Sequence, residues 1–302
     1  MGEVVVSVTG LRKSYGDLVA VDGIDLEVGR GQVFGVLGPN GAGKTTTFEC
    51  LEGLRRRDAG EMRVVGIDPG RDGGQLASVI GVQLQSSALP PTMTPPEALD
   101  FFAAYHRVKP RLDLLERFGL TGHLATRYEA LSGGLQRRLS LALAIAHDPS
   151  VVLLDEPTSG LDVASRVELH AIIGELSASG TTVLLATHDM AEAEALADRV
   201  AILLRGRVVA VGSPRELTAT GSGYTKILVR TDPAELVDAM TVPAAERVRS
   251  DDGYSVFFTT DTARSVAAIL DHLHGDDSAL VDLRVERPSL EERFLELTEE
   301  RK

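Results

Sequence analysis

The chain opens on an alternation of apolar and polar positions. Residues 4–11 (VVVSVTGL) and 18–28 (LVAVDGIDLEV) read as two strands joined by a turn at residues 15–17, with Ile24, Leu26 and Val28 on one face. This predicts an antiparallel edge sheet. The next run, VFGVLG at 33–38, is continuously apolar, as expected of a strand buried on both faces, and a glycine-rich turn leads from it into a helix at TTTFECLEGL. Helical periodicity then recurs in three pieces between about residues 90 and 146: PPEALDFFAAYHRV, LDLLERFGL and LQRRLSLALAIA. Beyond this helical insert, VVLLDEP, a helix over 164–177, TTVLLATHD, a helix over 190–198 and VAILLRGRVVAVG restore the strand and helix alternation of a doubly wound sheet closing near Gly212.

After Pro214 and the TATGSG stretch the order changes. KILVR, PAELVDAM, ERVRS, YSVFFTT, a helix over 262–274 and ALVDLRVE follow the strand and helix order of a small split βαβ module, and SLEERFLELTEE ends the chain as an amphipathic helix. The expected division is a first domain at 1–219, holding the helical insert, and a C-terminal α+β domain at 220–302. Charge supports a separate tail: from Gly221 onward there are 17 acidic and 10 basic residues, net −7 of the −13 total.

The bulk composition narrows the function classes. A chain of 302 residues with 43% hydrophobic and 25% charged residues has the balance of a globular protein with a real core. Its longest clean apolar runs fall far short of the roughly 18 to 20 residues of a membrane-spanning helix. With no basic segment followed by an apolar run at the N-terminus, a cytoplasmic location is expected. The net charge of −13 opposes a sequence-independent grip on nucleic acid, which depends on Lys and Arg neutralising phosphates. Cys50, the one cysteine, reads as an ordinary buried thiol.

Two local strings carry chemistry. GPNGAGKT, formed by Gly38, Pro39, Asn40, Gly41, Ala42, Gly43, Lys44 and Thr45 with Thr46 behind it, matches the phosphate-binding pattern G-x-x-x-x-G-K-[ST] between a predicted strand and a predicted helix. Its glycines let successive backbone N–H groups converge on phosphate oxygens. Lys44 is expected to reach the β and γ phosphates, and Thr45 to ligate Mg²⁺. VVLLDEP ends a buried strand in two carboxylates, delivering Asp155 and Glu156 to the rim of the sheet. Asp155 is expected to hold the metal through its water shell, and Glu156 to accept a proton from the attacking water or orient it.

With these strings in place, LSGGLQRR at residues 131–138 resembles the signature motif of the ATP-binding-cassette family. LSGG sets a small hydroxyl and two residues without Cβ ahead of a helix, which is a second anion cradle. The resemblance implies a P-loop NTPase cassette of α/β class: a mixed sheet core, an antiparallel edge sheet and a helical subdomain. It also implies that Ser132, Gly133 and Gly134 face the γ-phosphate of ATP held by a second copy of the chain, in a head-to-tail dimer. Leu135 stands where the family most often has Gln, which leaves the Ser and Gly contacts intact.

Smaller matches follow in family order. Tyr15 resembles the aromatic that stacks on adenine. Gln85 resembles the glutamine that touches Mg²⁺ and the water, with Gln83 the competing choice. SGLD, ending in Asp162, resembles the loop that meets its mate across the dimer, and His188 resembles the histidine that senses the γ-phosphate. The tail, above all SLEERFLELT, resembles the C-terminal extension of ATP-binding subunits in the type-2 exporter group, which handles drugs, antibiotics and related cargo.

The implied activity is hydrolysis of ATP with Mg²⁺, powering export through a separate transmembrane permease, with the chain peripheral on the inner face of the membrane. The competing reading is a soluble cassette ATPase of translation or DNA repair. Against it stand the single intact cassette, without a second copy in the chain or a splitting coiled coil, and the acidic charge. A P-loop kinase or regulatory nucleotide-binding module is opposed by LSGG and Glu156.

Overall fold

The computed structural model describes residues 3–84, 89–219, 225–232, 242, 245–251, 253–275, 279–286 and 289–299. The chain divides into two compact units, Met1–Pro214 and Arg215–Lys302.

The first unit opens with β1 (Val4–Tyr15) and β2 (Leu18–Gly29), a long antiparallel hairpin. There follow β3 (Val33–Leu37), α1 (Lys44–Leu51), β4 (Ala59–Val64), the single turn α2 (Gly73–Leu76) and β5 (Ile80–Gln83). The helical insert consists of α3 (Pro95–His106), α4 (Asp113–Arg117) and α5 (Gly133–Ala144). Thr94 starts α3 with a reciprocal capping box to Glu97, and prolines stand at the first turn, where the missing N–H costs nothing. The unit is completed by β6 (Val151–Asp155), α6 (Val163–Ala178), β7 (Thr182–Thr187), α7 (Met190–Leu196), β8 (Arg199–Leu204) and β9 (Arg207–Gly212), with α8 (Pro214–Ala219) at the division between units.

The strands form two sheets. One is antiparallel, in the order β2-β1-β4; the other runs β5-β6-β7-β3-β8-β9, parallel from β5 to β8 and closed by antiparallel β9. Every residue of β3, β6 and β7 is buried, which is why these strands read as unbroken apolar runs rather than as alternation. A single core joins both sheets to α1, including Val8, Ile24, Phe34, Phe48, Leu51, Leu153 and Leu184. Cys50 lies in this core, and burial raises its thiol to about 11.

Several elements differ from the pattern reading. β4 and β5 are strands in a stretch where sequence periodicity assigns none. The apolar run 200–212, left undivided in the pattern, is a hairpin of β8 and β9, turned by Arg205 and Gly206 at φ 51° and 76°. The helix expected over 190–198 ends at Leu196.

The second unit contains β10 (Thr225–Asp232), β11 (Ala245–Asp251), β12 (Tyr254–Thr259), α9 (Thr262–Gly275), β13 (Ala279–Glu286) and α10 (Leu290–Glu299). Its antiparallel sheet runs β11-β12-β10-β13, the order of a split βαβ module. The expected helix PAELVDAM lies outside the described residues. Ile227, Val229, Phe257, Ile269 and Leu273 form a separate core. Among the described residues no helix is long and apolar enough to cross a membrane.

Candidate functional site

The loop, carboxylate and histidine candidates follow the C-terminal ends of neighbouring parallel strands. β7 lies between β6 and β3, so the segments that follow these three strands, carrying Glu156, His188 and the Gly38–Thr45 loop, emerge side by side.

The loop is shaped by what cannot fit beside it. A Cβ on Gly38 would stand 2.4 Å from the Leu203 carbonyl oxygen, and one on Gly43, at φ 103°, would stand 2.5 Å from that of Ala20. Only glycine allows the backbone to press this closely against β2 and β8 while α1 begins at Lys44. Lys44 is buried, and its Nζ donates to the carbonyls of Gly38 (2.7 Å) and Pro39 (3.3 Å). It also lies 3.6 Å from Glu156 Oε1.

Glu156 is buried and takes a left-handed φ of 50°, costly for a residue with a Cβ. Its backbone N–H donates to the Ala186 carbonyl of β7 at 2.8 Å, which holds the turn. Its Oε2 receives a 2.7 Å hydrogen bond from Nδ1 of the half-exposed His188. The carboxylate is thus held between Lys44 and His188. Asp155 is buried one residue earlier, with Oδ1 lacking a hydrogen-bond partner. Burial raises its carboxyl above the usual range, opposed by a hydrogen bond with the Thr45 hydroxyl.

Tyr15, Pro39, Asn40, Gly41, Gly43, Lys44, Thr45, Thr46 and Glu156 line one cavity of about 440 Å³. Leu18, Val19 and Ala20 add a wall that sequence reading did not assign. The partly exposed ring of Tyr15 has the Arg55 guanidinium 5.2 Å from its centroid and Lys13 Nζ at 5.7 Å. Arg55 was hidden in sequence by its place in a plain basic run.

The other candidates lie apart from that cavity. Ser132 caps α5, its hydroxyl accepting from the Leu135 N–H at 3.3 Å, while Gly133 faces open space. A Cβ on Gly134 would meet Ser165 Oγ at 2.6 Å. Ser165 is also the residue that Asp162 binds as cap of α6, through the backbone N–H at 2.9 Å and the hydroxyl at 3.0 Å, bonds that lower the Asp162 carboxyl. The glycine cradle and the Asp162 loop are therefore neighbours within one chain. Gln85 lies outside the described residues. Gln83, the competing glutamine, is buried at the end of β5, with Nε2 3.5 Å from the Arg137 carbonyl and Oε1 without a partner.

Comparison with known proteins gives a consistent result. The sequence profile of the ABC transporter family matches residues 21–159. The daunorubicin resistance ATP-binding protein DrrA3 of Streptomyces coeruleorubidus is 38% identical, over 99% of this chain and 97% of its own length. The Nod factor export ATP-binding protein I of Ralstonia nicotianae is 37% identical, over 97% and 94%. A solved dimeric ATP-binding cassette, in a post-hydrolysis state with ADP and phosphate, matches with a TM-score of 0.63 at 25% identity, covering 69% of this chain and 98% of that one.

Proposed function

The chain belongs to the ABC transporter family as an ATP-binding subunit, and from that premise we propose that it hydrolyses ATP to drive export through a separate membrane permease. The observation carrying the proposal is the convergence of Tyr15, the 38–45 loop and Glu156 on one cavity, with His188 against Glu156. The similar proteins are exporter subunits matched over nearly their whole length, which does not support the translation or DNA-repair alternative.

In the proposed reaction Tyr15 stacks on the adenine, and the N–H groups of the loop and of the α1 N-terminus grip the phosphates. Lys44 exchanges its bonds to the Gly38 and Pro39 carbonyls for β and γ phosphate oxygens. Glu156, steadied by His188, orients a water and takes its proton as the water oxygen bonds to the γ-phosphorus. The bond from that phosphorus to the bridging oxygen then breaks, leaving ADP and phosphate.

The oxygen donors at Thr45 and Asp155 suit a hard divalent cation, since Asp155 Oδ1 is buried without a hydrogen-bond partner. Mg²⁺ held there would supply charge to neutralise phosphate oxygens. Gln85 is proposed as a further contact.

ATP-binding subunits of this family work as dimers with a permease. We propose a head-to-tail pair in which Ser132, Gly133 and Gly134 of one copy complete the site of the other, Asp162 lies at the seam, and the dimer is peripheral on the inner face of the membrane. Glu156→Gln tests this reading. It should bind ATP normally, lose on the order of 100-fold or more in turnover, and accumulate an ATP-dependent dimer. Unchanged hydrolysis would overturn the assignment.

A further inference from the structure

The His188 side chain is 55% exposed, so packing does not fix where it lies, and its bond to Glu156 Oε2 depends on the backbone that carries it. That backbone runs between Thr187, the buried end of β7, and Asp189, the cap of α7. Asp189 has three ties. Its N–H donates to the Thr187 hydroxyl at 3.0 Å, Oδ1 accepts the Glu192 N–H of α7 at 3.0 Å, and Oδ2 accepts from Arg166 Nη1 of α6 at 3.1 Å. Of the three, only the last reaches an element distant in sequence.

We propose, resting on the hydrolysis reading above, that Arg166 is a positioning residue. By binding Asp189 it sets the backbone from which His188 reaches Glu156, and so ties that contact to the first turn of α6. The turn itself touches two other candidate segments. Arg166 donates its N–H to the Asp162 carbonyl at 3.0 Å, and Ser165, held by the Asp162 carboxylate, stands 2.6 Å from where a Cβ on Gly134 would lie. One helical turn therefore meets the Asp162 loop, the glycine cradle and the cap next to His188. In the proposed dimer the first two lie at the seam, and a displacement there reaches His188 through the third.

A second rung keeps α6 and α7 in register. His170 lies one turn beyond Arg166 on the same face of α6, and its Nε2 is 3.5 Å from Oε1 of the fully buried Glu192, three residues beyond Asp189. With both rungs in place the guanidinium stays opposite Asp189. The Arg166–Asp189 bond is made through Nη1, so charge and reach matter here more than the planar fork. As a partly exposed ion pair it contributes little to stability, and its loss is read in turnover rather than in unfolding.

The test compares Arg166→Met, which keeps the apolar stem and the helix propensity, with Arg166→Lys, which keeps the charge. Arg166→Met should lower kcat about tenfold, with KM for ATP within about twofold and the unfolding midpoint unchanged, and Arg166→Lys should recover most of the loss. Asp189→Asn still caps α7 but has one acceptor oxygen for the two donors that Asp189 serves. Combined with Arg166→Met it should therefore cost no more than the larger single loss. The nitrogen NMR signal of the His188 imidazole, assigned by its disappearance in His188→Gln and followed in the full-length chain without nucleotide, reads placement independently of turnover. Arg166→Met should shift it, and Arg166→Lys should leave it in place. An unchanged signal in Arg166→Met, turnover equal to that of an active wild type, or a loss that Arg166→Lys shares in full would overturn the proposal. A wild-type chain without turnover whose His188 signal still responds to Arg166→Met would count against the hydrolysis reading alone.

Discussion

Glu52 follows the last turn of α1, and both its carboxylate oxygens are buried without a hydrogen-bond partner. Burial, with repulsion from Asp155 and Glu49, raises its carboxyl from 4.5 to about 8. Between these values the folded chain keeps a proton that the unfolded chain releases, so this group's contribution to stability is full below about pH 4.5. It falls with rising pH at about 1.4 kcal/mol per unit until about pH 8. Glu52→Gln keeps the shape and removes the titration. Urea unfolding at several pH values should give a shallower loss of stability in the variant, and an unchanged slope would refute the assignment. In sequence Glu52 belongs to the helical run TTTFECLEGL, where nothing local marks its carboxylate as buried. The roles proposed for Lys44 and Glu156 were legible because each belongs to a contiguous string. The contact of Glu156 with His188, 32 residues away, was not.

At the scale of elements, the sheet and the helical insert meet where β5 runs beneath the end of α5. A Cβ on Gly81 would lie 2.1 Å from the Ala144 carbonyl oxygen and 3.1 Å from the Pro149 ring. Backbone lies on both sides of the closer contact, so neither side can yield without moving an element. Gly81→Ala should therefore cost about 1–3 kcal/mol, read as a lower denaturant midpoint with an unchanged slope. A neutral result would mean that α5 can shift freely on the sheet. β5 escaped sequence reading because four residues are too few for a period, and a buried strand has no polar face to mark it. Longer elements had enough turns: α6 and α9 lie within a residue or so of where apolar spacing sets them.

At the scale of the whole molecule, the chain divides at Pro214 into units with separate cores. A fragment of residues 1–214 holds every residue proposed to touch nucleotide, and its ATP affinity in a titration should equal that of the full chain. An unfolded fragment would show that the first unit depends on the second. The sequence by itself determined the chemical inventory: phosphate loop, paired carboxylates, glycine cradle and histidine. Each is built from residues close along the chain, where backbone geometry and side-chain type suffice. Only the tertiary structure decided that β7 lies between β6 and β3, bringing His188, Glu156 and Lys44 together, that Glu52 is buried, and that β13 ends the C-terminal sheet among the described residues. Those outcomes depend on strand order and on what covers each face, and such long-range pairings leave no local period in the sequence.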